Sequence, residues 1–183
     1  MNRETALNLL QQHLTSEHLI GHSLAVAAIM EGVAEHFAVP AENFVLAGLL
    51  HDIDYDQTLE DPDNHALIGA EILAQNGLPE SVIYAVKAHN YRHGLARNDL
   101  LSQALFAADP TSGFITAAAL IRPEKKLEFV ELKSLQKRFK EKAFAKGANR
   151  EYIATCSEMG LPLDEFLAIS LNSMKKYADE LGL

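Results

Sequence analysis

The 183-residue sequence predicts an all-α domain of roughly eight to ten helices. Three observations carry that prediction. Apolar residues recur at three-to-four spacing along nearly every segment. Period-two alternation is nowhere sustained, and β-branched clusters are few. Pro, Gly and capping residues fall between the periodic stretches, where helix boundaries require them.

An amphipathic pattern over 2–14 opens the chain. Ser16 is placed to cap a second helix, in which Leu19, His22, Val26, Ile29, Val33 and Phe37 share a face. Pro40 starts a third, about 41–52. Residues 53–62 read as a polar loop. Asp63 or Asn64 caps a fourth helix, "HALIGAEILAQN" (65–76), closed by Gly77. Pro79 opens a fifth, to about Asn90, and another spans about Asn98 to Asp109. A short helix covers 111–120, and Pro123 breaks the chain. Basic helical segments follow over 128–146, with a last helix over 163–181. The organisation read from this is a first unit, 1–122, with a helical extension, 123–183, packed on the same domain.

An apolar fraction of 48% and a charged fraction of 22% are those of a soluble globular protein. No apolar run approaches ~20 residues, so no membrane span is expected, and the N-terminus lacks the pattern of a secretory signal. The single Cys156 excludes an internal disulfide and fits a reducing compartment. A cytoplasmic location is the resulting expectation. The net charge of −9 is uneven: residues 1–121 hold 15 acids and 4 Lys/Arg, whereas 122–150 hold 10 Lys/Arg and 4 acids. The acidic balance makes nucleic acid an unlikely partner. The basic stretch "SLQKRFKEKAFAK" (134–146) reads as an amphipathic helix with a solvated basic face. Its functional alternative has Lys137 or Arg138 binding a substrate phosphate, a role also open to Arg92 and Arg97.

Six metal-competent residues fall on apolar stripes. His22 is in phase with Val26, Ile29 and Val33. His51 and Asp52 close the apolar segment of "LAGLLHDIDYD" (46–56). His65 is in phase with Ile68 and Ile72, His89 with Val82 and Val86, and Asp109 with Leu101 and Leu105. A buried ionisable group is costly unless paired or metal-bound. Convergence on one buried site explains all six at once. Imidazole and carboxylate together suit Fe, Mn, Zn, Ni or Co, and carboxylates also accept Mg.

The order His22, His51-Asp52, His65, His89, Asp109 resembles the HD-domain superfamily of metal-dependent phosphohydrolases, most nearly its HDIG-type branch. The local frames agree: "GHSLAVA", "AGLLHDID", "HALIGAEIL", "AVKAHN" and "ALFAADP", over roughly residues 18–115. The resemblance implies a helical bundle with a metal site in its core. One metal would be held by His22, His51, Asp52 and Asp109. A second would be held by His65 and His89, with Asp52 bridging. It implies hydrolysis of a small phosphorylated substrate, a phosphate ester such as a nucleotide, by metal-activated water. Besides the bridging Asp52, Asp54, Asp56 and Lys87 are the candidates for proton transfer or water orientation. The alternative for Asp54 and Asp56 is that of solvated loop carboxylates. Two positions depart from the pattern: HDIG relatives have Gly at Asp54, where a left-handed backbone is expected, and many have a second His at Asn90. The ligand set also resembles that of di-iron oxygenases on the same scaffold, and some HD-related domains are non-catalytic signalling modules.

Overall fold

A computed structural model describes all 183 residues. The chain is entirely helical, with eleven α-helical segments, two of them single turns, and no strand. They are α1 (Arg3–His13), α2 (Glu17–His36), α3 (Glu42–Leu50), α4 (Tyr55–Thr58), α5 (Leu67–Gln75), α6 (Glu80–His89), α7 (Leu100–Leu120), α8 (Leu132–Phe139), α9 (Arg150–Ala154), α10 (Leu163–Lys176) and α11 (Ala178–Leu181).

The long helices α2 and α7 form the centre. Both are rich in Ala, which lets neighbours approach closely, and α3, α6 and α10 pack around them. The α2–α3 crossing is close because position 48 is Gly: a Cβ there would lie 2.8 Å from the Ala27 backbone. On the other side of α2, a Cβ at Gly32 would overlap Ser173 Oγ of α10. One apolar core runs from Ala6 to Met174, and Leu127, Leu135, Ile153, Phe166 and Leu171 of the extension are fully part of it.

Four expectations are corrected. Helices expected over 98–109 and 111–120 are one helix, α7, with Pro110 inside it. Proline removes an N–H donor, but both halves of α7 bury apolar faces, and the Thr111 hydroxyl donates to the Ala107 carbonyl at 2.7 Å. The expected loop 53–62 contains the α4 turn. The helix expected from His65 starts at Leu67, after Ala66 in the left-handed region (φ 72°). His65 therefore sits in a turn, not on the α5 stripe. Finally, α8 ends at Phe139, far short of 146, and the segment after it runs in turns that Arg150 ties together. Its guanidinium donates to Phe139, Phe144, Ala145 and Ala148 oxygens at 2.6–3.4 Å.

Candidate metal centre

Five segments deliver the six candidate ligands to one place: α2 brings His22, the end of α3 His51 and Asp52, the turn before α5 His65, the end of α6 His89, and mid-α7 Asp109. Asp52 lies between two pairs of histidines. Its Oδ2 faces His51 Nε2 at 3.3 Å and His22 Nε2 at 3.6 Å. Its Oδ1 faces His65 Nε2 at 3.3 Å and His89 Nε2 at 3.4 Å. Asp109 Oδ1 completes the first group, 3.2 Å from His22 Nε2 and 3.9 Å from His51 Nε2.

Every one of these histidines is tied at its other ring nitrogen. His51 Nδ1 donates to the Gly48 carbonyl at 2.8 Å, and His89 Nδ1 to the Val86 carbonyl at 2.6 Å. His65 Nδ1 donates to Asp54 Oδ1 at 2.8 Å. His22 Nδ1 donates to Ser112 Oγ at 3.0 Å, and that hydroxyl donates to the Asp109 carbonyl. In the neutral ring, a proton held at Nδ1 leaves the lone pair at Nε2, so each ring can turn an acceptor toward a cation at the centre. His22 and His51 Nε2 then stand 3.2 Å apart. Two lone pairs at that distance repel unless a cation is shared between them. Donor chemistry, convergence and outer hydrogen bonds fit a divalent metal.

Without a metal, the carboxylates draw a second proton onto two of these rings instead. Burial works against charge on His51, but Asp52 and then Asp109 outweigh it and raise its pKa to about 9. For His65, burial is again overcome, by hydrogen bonds to Asp52 and Asp54, and the pKa rises to about 10. Burial would raise the Asp52 carboxyl, yet His51, His65 and His89 hold it well below the usual carboxylate range. Asp109 is lowered in the same way, chiefly by His22.

Asp54 is fully buried (0% exposed), not a solvated loop carboxylate. Its Oδ2 accepts from the Ala66 and Gly69 N–H groups at 2.8 and 2.7 Å, so it caps α5 from outside the helix, and its Oδ1 orients His65. Its backbone is at φ −97°, not left-handed. Asp56 accepts from the Thr15 N–H and hydroxyl at 2.9 and 3.0 Å, away from the cluster. Lys87 is half-buried on α6 and lines neither cavity beside the cluster. Arg92 pairs with Asp63 at 2.9 Å. Arg97 stacks over Phe106 at 3.7 Å. Lys137 is exposed on α8, and Arg138 pairs with Glu141 at 3.6 Å; neither lines a cavity beside the cluster.

One supporting residue escaped the sequence reading: Ser112, whose signal is a position three residues after Asp109, on the same face of α7. Asn90, buried, donates to the Pro62 and His65 carbonyls at 3.2 and 3.0 Å and so fixes the His65 turn. His93 donates to the same His65 carbonyl at 2.8 Å. Two cavities open beside the cluster, of about 260 and 300 Å³, and both take Asp109, Pro110 and Gly147 as walls. The extension therefore builds part of the site.

The HD domain family matches residues 19–113, more than half of the chain. The chain belongs to the HD domain family. Among curated relatives, this HD domain is 31% identical to ribonuclease Y of Aquifex aeolicus over 172 residues, covering 91% of this chain and 30% of that protein. It is 32% identical to ribonuclease Y of Thermosipho melanesiensis over 138 residues, 74% of this chain and 27% of that protein. Ribonuclease Y of Geobacter sulfurreducens is 28% identical, with 91% and 32% covered. The chain thus spans about a third of the length of these relatives. Family and relatives together make it a member of a metal-dependent phosphohydrolase family. The relatives' names weigh against treating nucleic acid as an unlikely partner. No helix is long and apolar enough to cross a membrane.

Proposed function

We propose that this HD domain hydrolyses a phosphate ester, with water activated at one or two divalent metal ions. The observation that carries the reading is the division of Asp52. One carboxylate oxygen faces His22 and His51, the other faces His65 and His89. A carboxylate split in this way suits a bridge between two ion positions. His22, His51, Asp52 and Asp109 would hold the first, and His65, His89 and Asp52 the second. Divalent ions bound there supply a lowered water pKa and neutralise charge developing on a phosphoryl group.

The protein's own contribution is preorganisation. Buried ligands with locked tautomers need no rearrangement as charge builds. Asp54, Ser112, Asn90 and His93 hold the ligands and do not react. The half-exposed Asp109 opens to both cavities, which gives a phosphate access from solvent.

Elemental analysis of the purified protein, followed by hydrolysis assays with the metal found, tests the proposal. The substrate panel contains phosphomonoesters, phosphodiesters and a short single-stranded RNA. At least one class is hydrolysed, and Asp52→Ala loses both metal and activity. Wild-type activity in Asp52→Ala, or a protein that takes up no metal, refutes it. Mixed-valence iron with no hydrolysis would point to oxygen chemistry on the same ligands.

A further inference from the structure

The cavity bounded by His65, His89 and Asp109 also takes three aromatic rings as walls. Phe106 of α7, Tyr152 of α9 and Tyr91, in the 3-10 turn after α6, lie in series, each ring tilted 44–47° to the next. Their ring centroids are 4.8 Å apart for Phe106 and Tyr152, and 5.6 Å for Tyr152 and Tyr91. Arg97 lies 3.7 Å over Phe106 at one end, and Arg92 lies 5.9 Å from the Tyr91 ring at the other.

Core packing accounts for Phe106, which is buried, but not for the two tyrosines. Tyr91 is 56% exposed and Tyr152 is half-buried. Neither hydroxyl has a hydrogen-bond partner in the protein, whereas Tyr84 anchors to the Ala96 carbonyl and Tyr177 to Glu31. Exposed rings next to metal ligands offer faces that water covers poorly. Planar rings bind such faces by stacking, with little demand on which ring it is. Both tyrosines line the cavity, within reach of a ring entering it beside His65 and His89.

We propose that Tyr91 and Tyr152 are a stacking platform for a planar ring in the organic part of the substrate, so that the site selects nucleotides over phosphate esters of saturated alcohols. The platform rests on the phosphohydrolase reading of the same site. It assigns the specificity to two residues outside the ligand set, one of them in the extension.

Titration calorimetry of the metal-loaded protein with adenosine 5′-monophosphate, ribose 5-phosphate and inorganic phosphate tests it. The first two probes share phosphate and sugar and differ in the ring. The nucleotide binds about tenfold tighter than ribose 5-phosphate. Tyr152→Ala and Tyr91→Ala each shrink that ratio and leave inorganic phosphate binding within twofold of wild type, while Tyr152→Phe keeps the ratio. The exposed Tyr91 serves as the second probe if Tyr152→Ala loosens α9. Equal affinity for the nucleotide and ribose 5-phosphate overturns the platform and leaves the hydrolase reading intact. So does a loss of affinity for all three probes alike in the tyrosine variants. Wild-type protein that binds none of the three, inorganic phosphate included, sinks both.

Discussion

With both carboxylate oxygens committed to N–H donors, Asp54 couples the start of α5 to the orientation of one histidine. Removing it strands three donors, two of them buried backbone groups. Each costs about 1–3 kcal/mol when left unpaired, so Asp54→Ala should destabilise the fold by roughly 3 kcal/mol or more in urea unfolding. Asp54→Asn keeps the shape but turns one oxygen into a donor. It should cost less stability and lower metal retention about 10- to 100-fold, the range for outer-shell changes, with the loss read as metal per protein. Unchanged metal content in Asp54→Asn would show that the His65 tautomer does not matter. The pKa shifts give a second prediction. His51 and His65, at about 9 and about 10, hold protons at pH 7 in metal-free protein. Both exceed the ordinary imidazole value of about 6.5, so their stabilising pairing with Asp52 is complete below about pH 6.5 and fades as pH climbs through 9–10. Metal must displace those protons. Its affinity should therefore rise with pH toward 9–10, and uptake at pH 7 should release protons, counted by calorimetry in buffers of different ionisation enthalpy. Uptake without proton release contradicts the assignment.

The residue scale also shows where the sequence was readable. The six metal-competent residues could be picked out because each lay among apolar neighbours at helical spacing, and five stand where that reading put them. Asp54 could not be assigned, because its partners are the N–H groups of residues 12 and 15 positions later, and those come within reach only once Ala66 takes a left-handed turn. Likewise, the alternative in which Lys137 or Arg138 binds a substrate phosphate rested on charge alone. Charge pattern gives a face, not a direction in the fold.

Among the elements, the α2–α3 crossing matters most to the centre, since α2 carries His22 and α3 leads into His51 and Asp52. Gly48 sets that spacing, and its carbonyl also accepts from His51 Nδ1. A methyl at position 48 meets backbone, which cannot move aside as a side chain can. Gly48→Ala should therefore cost about 2–3 kcal/mol, the upper part of the range for overpacking, and should lower metal binding by displacing His51. Thermal melting and metal content measure the two effects, and a variant as stable as wild type would show that the helices can separate freely. Helix boundaries were legible from caps and breakers at α1, α3 and α6. They were misread at Pro110, where buried apolar faces on both sides override a local breaker, and at Phe139, beyond which the basic segment turns and is tied by Arg150.

For the whole molecule, the extension shares the core and walls the site, so the family match over 19–113 is smaller than the folding unit. Metal bound only to the folded state adds stability by mass action, about 4 kcal/mol at a thousandfold excess over Kd. At about 2–4 °C per kcal/mol for a chain of this size, chelation should lower Tm by roughly 10 °C, and restoring the ion should reverse it. A Tm indifferent to chelator would mean that the ligands do not bind metal in the folded protein.

The ligands begin at residue 22 and end at residue 109, and no disulfide spans any part of that interval. A metal held by all of them is a removable cross-link with the topology of a disulfide ladder. It pins nested loops that an unfolded chain would otherwise sample freely. By the chain-entropy estimate, closing a loop on the order of 100 residues restricts the unfolded state by about 4–5 kcal/mol. With a metal bound there, a protein with one buried cysteine would gain from coordination the kind of constraint that extracellular domains take from cystines, and could give it up simply by releasing the ion.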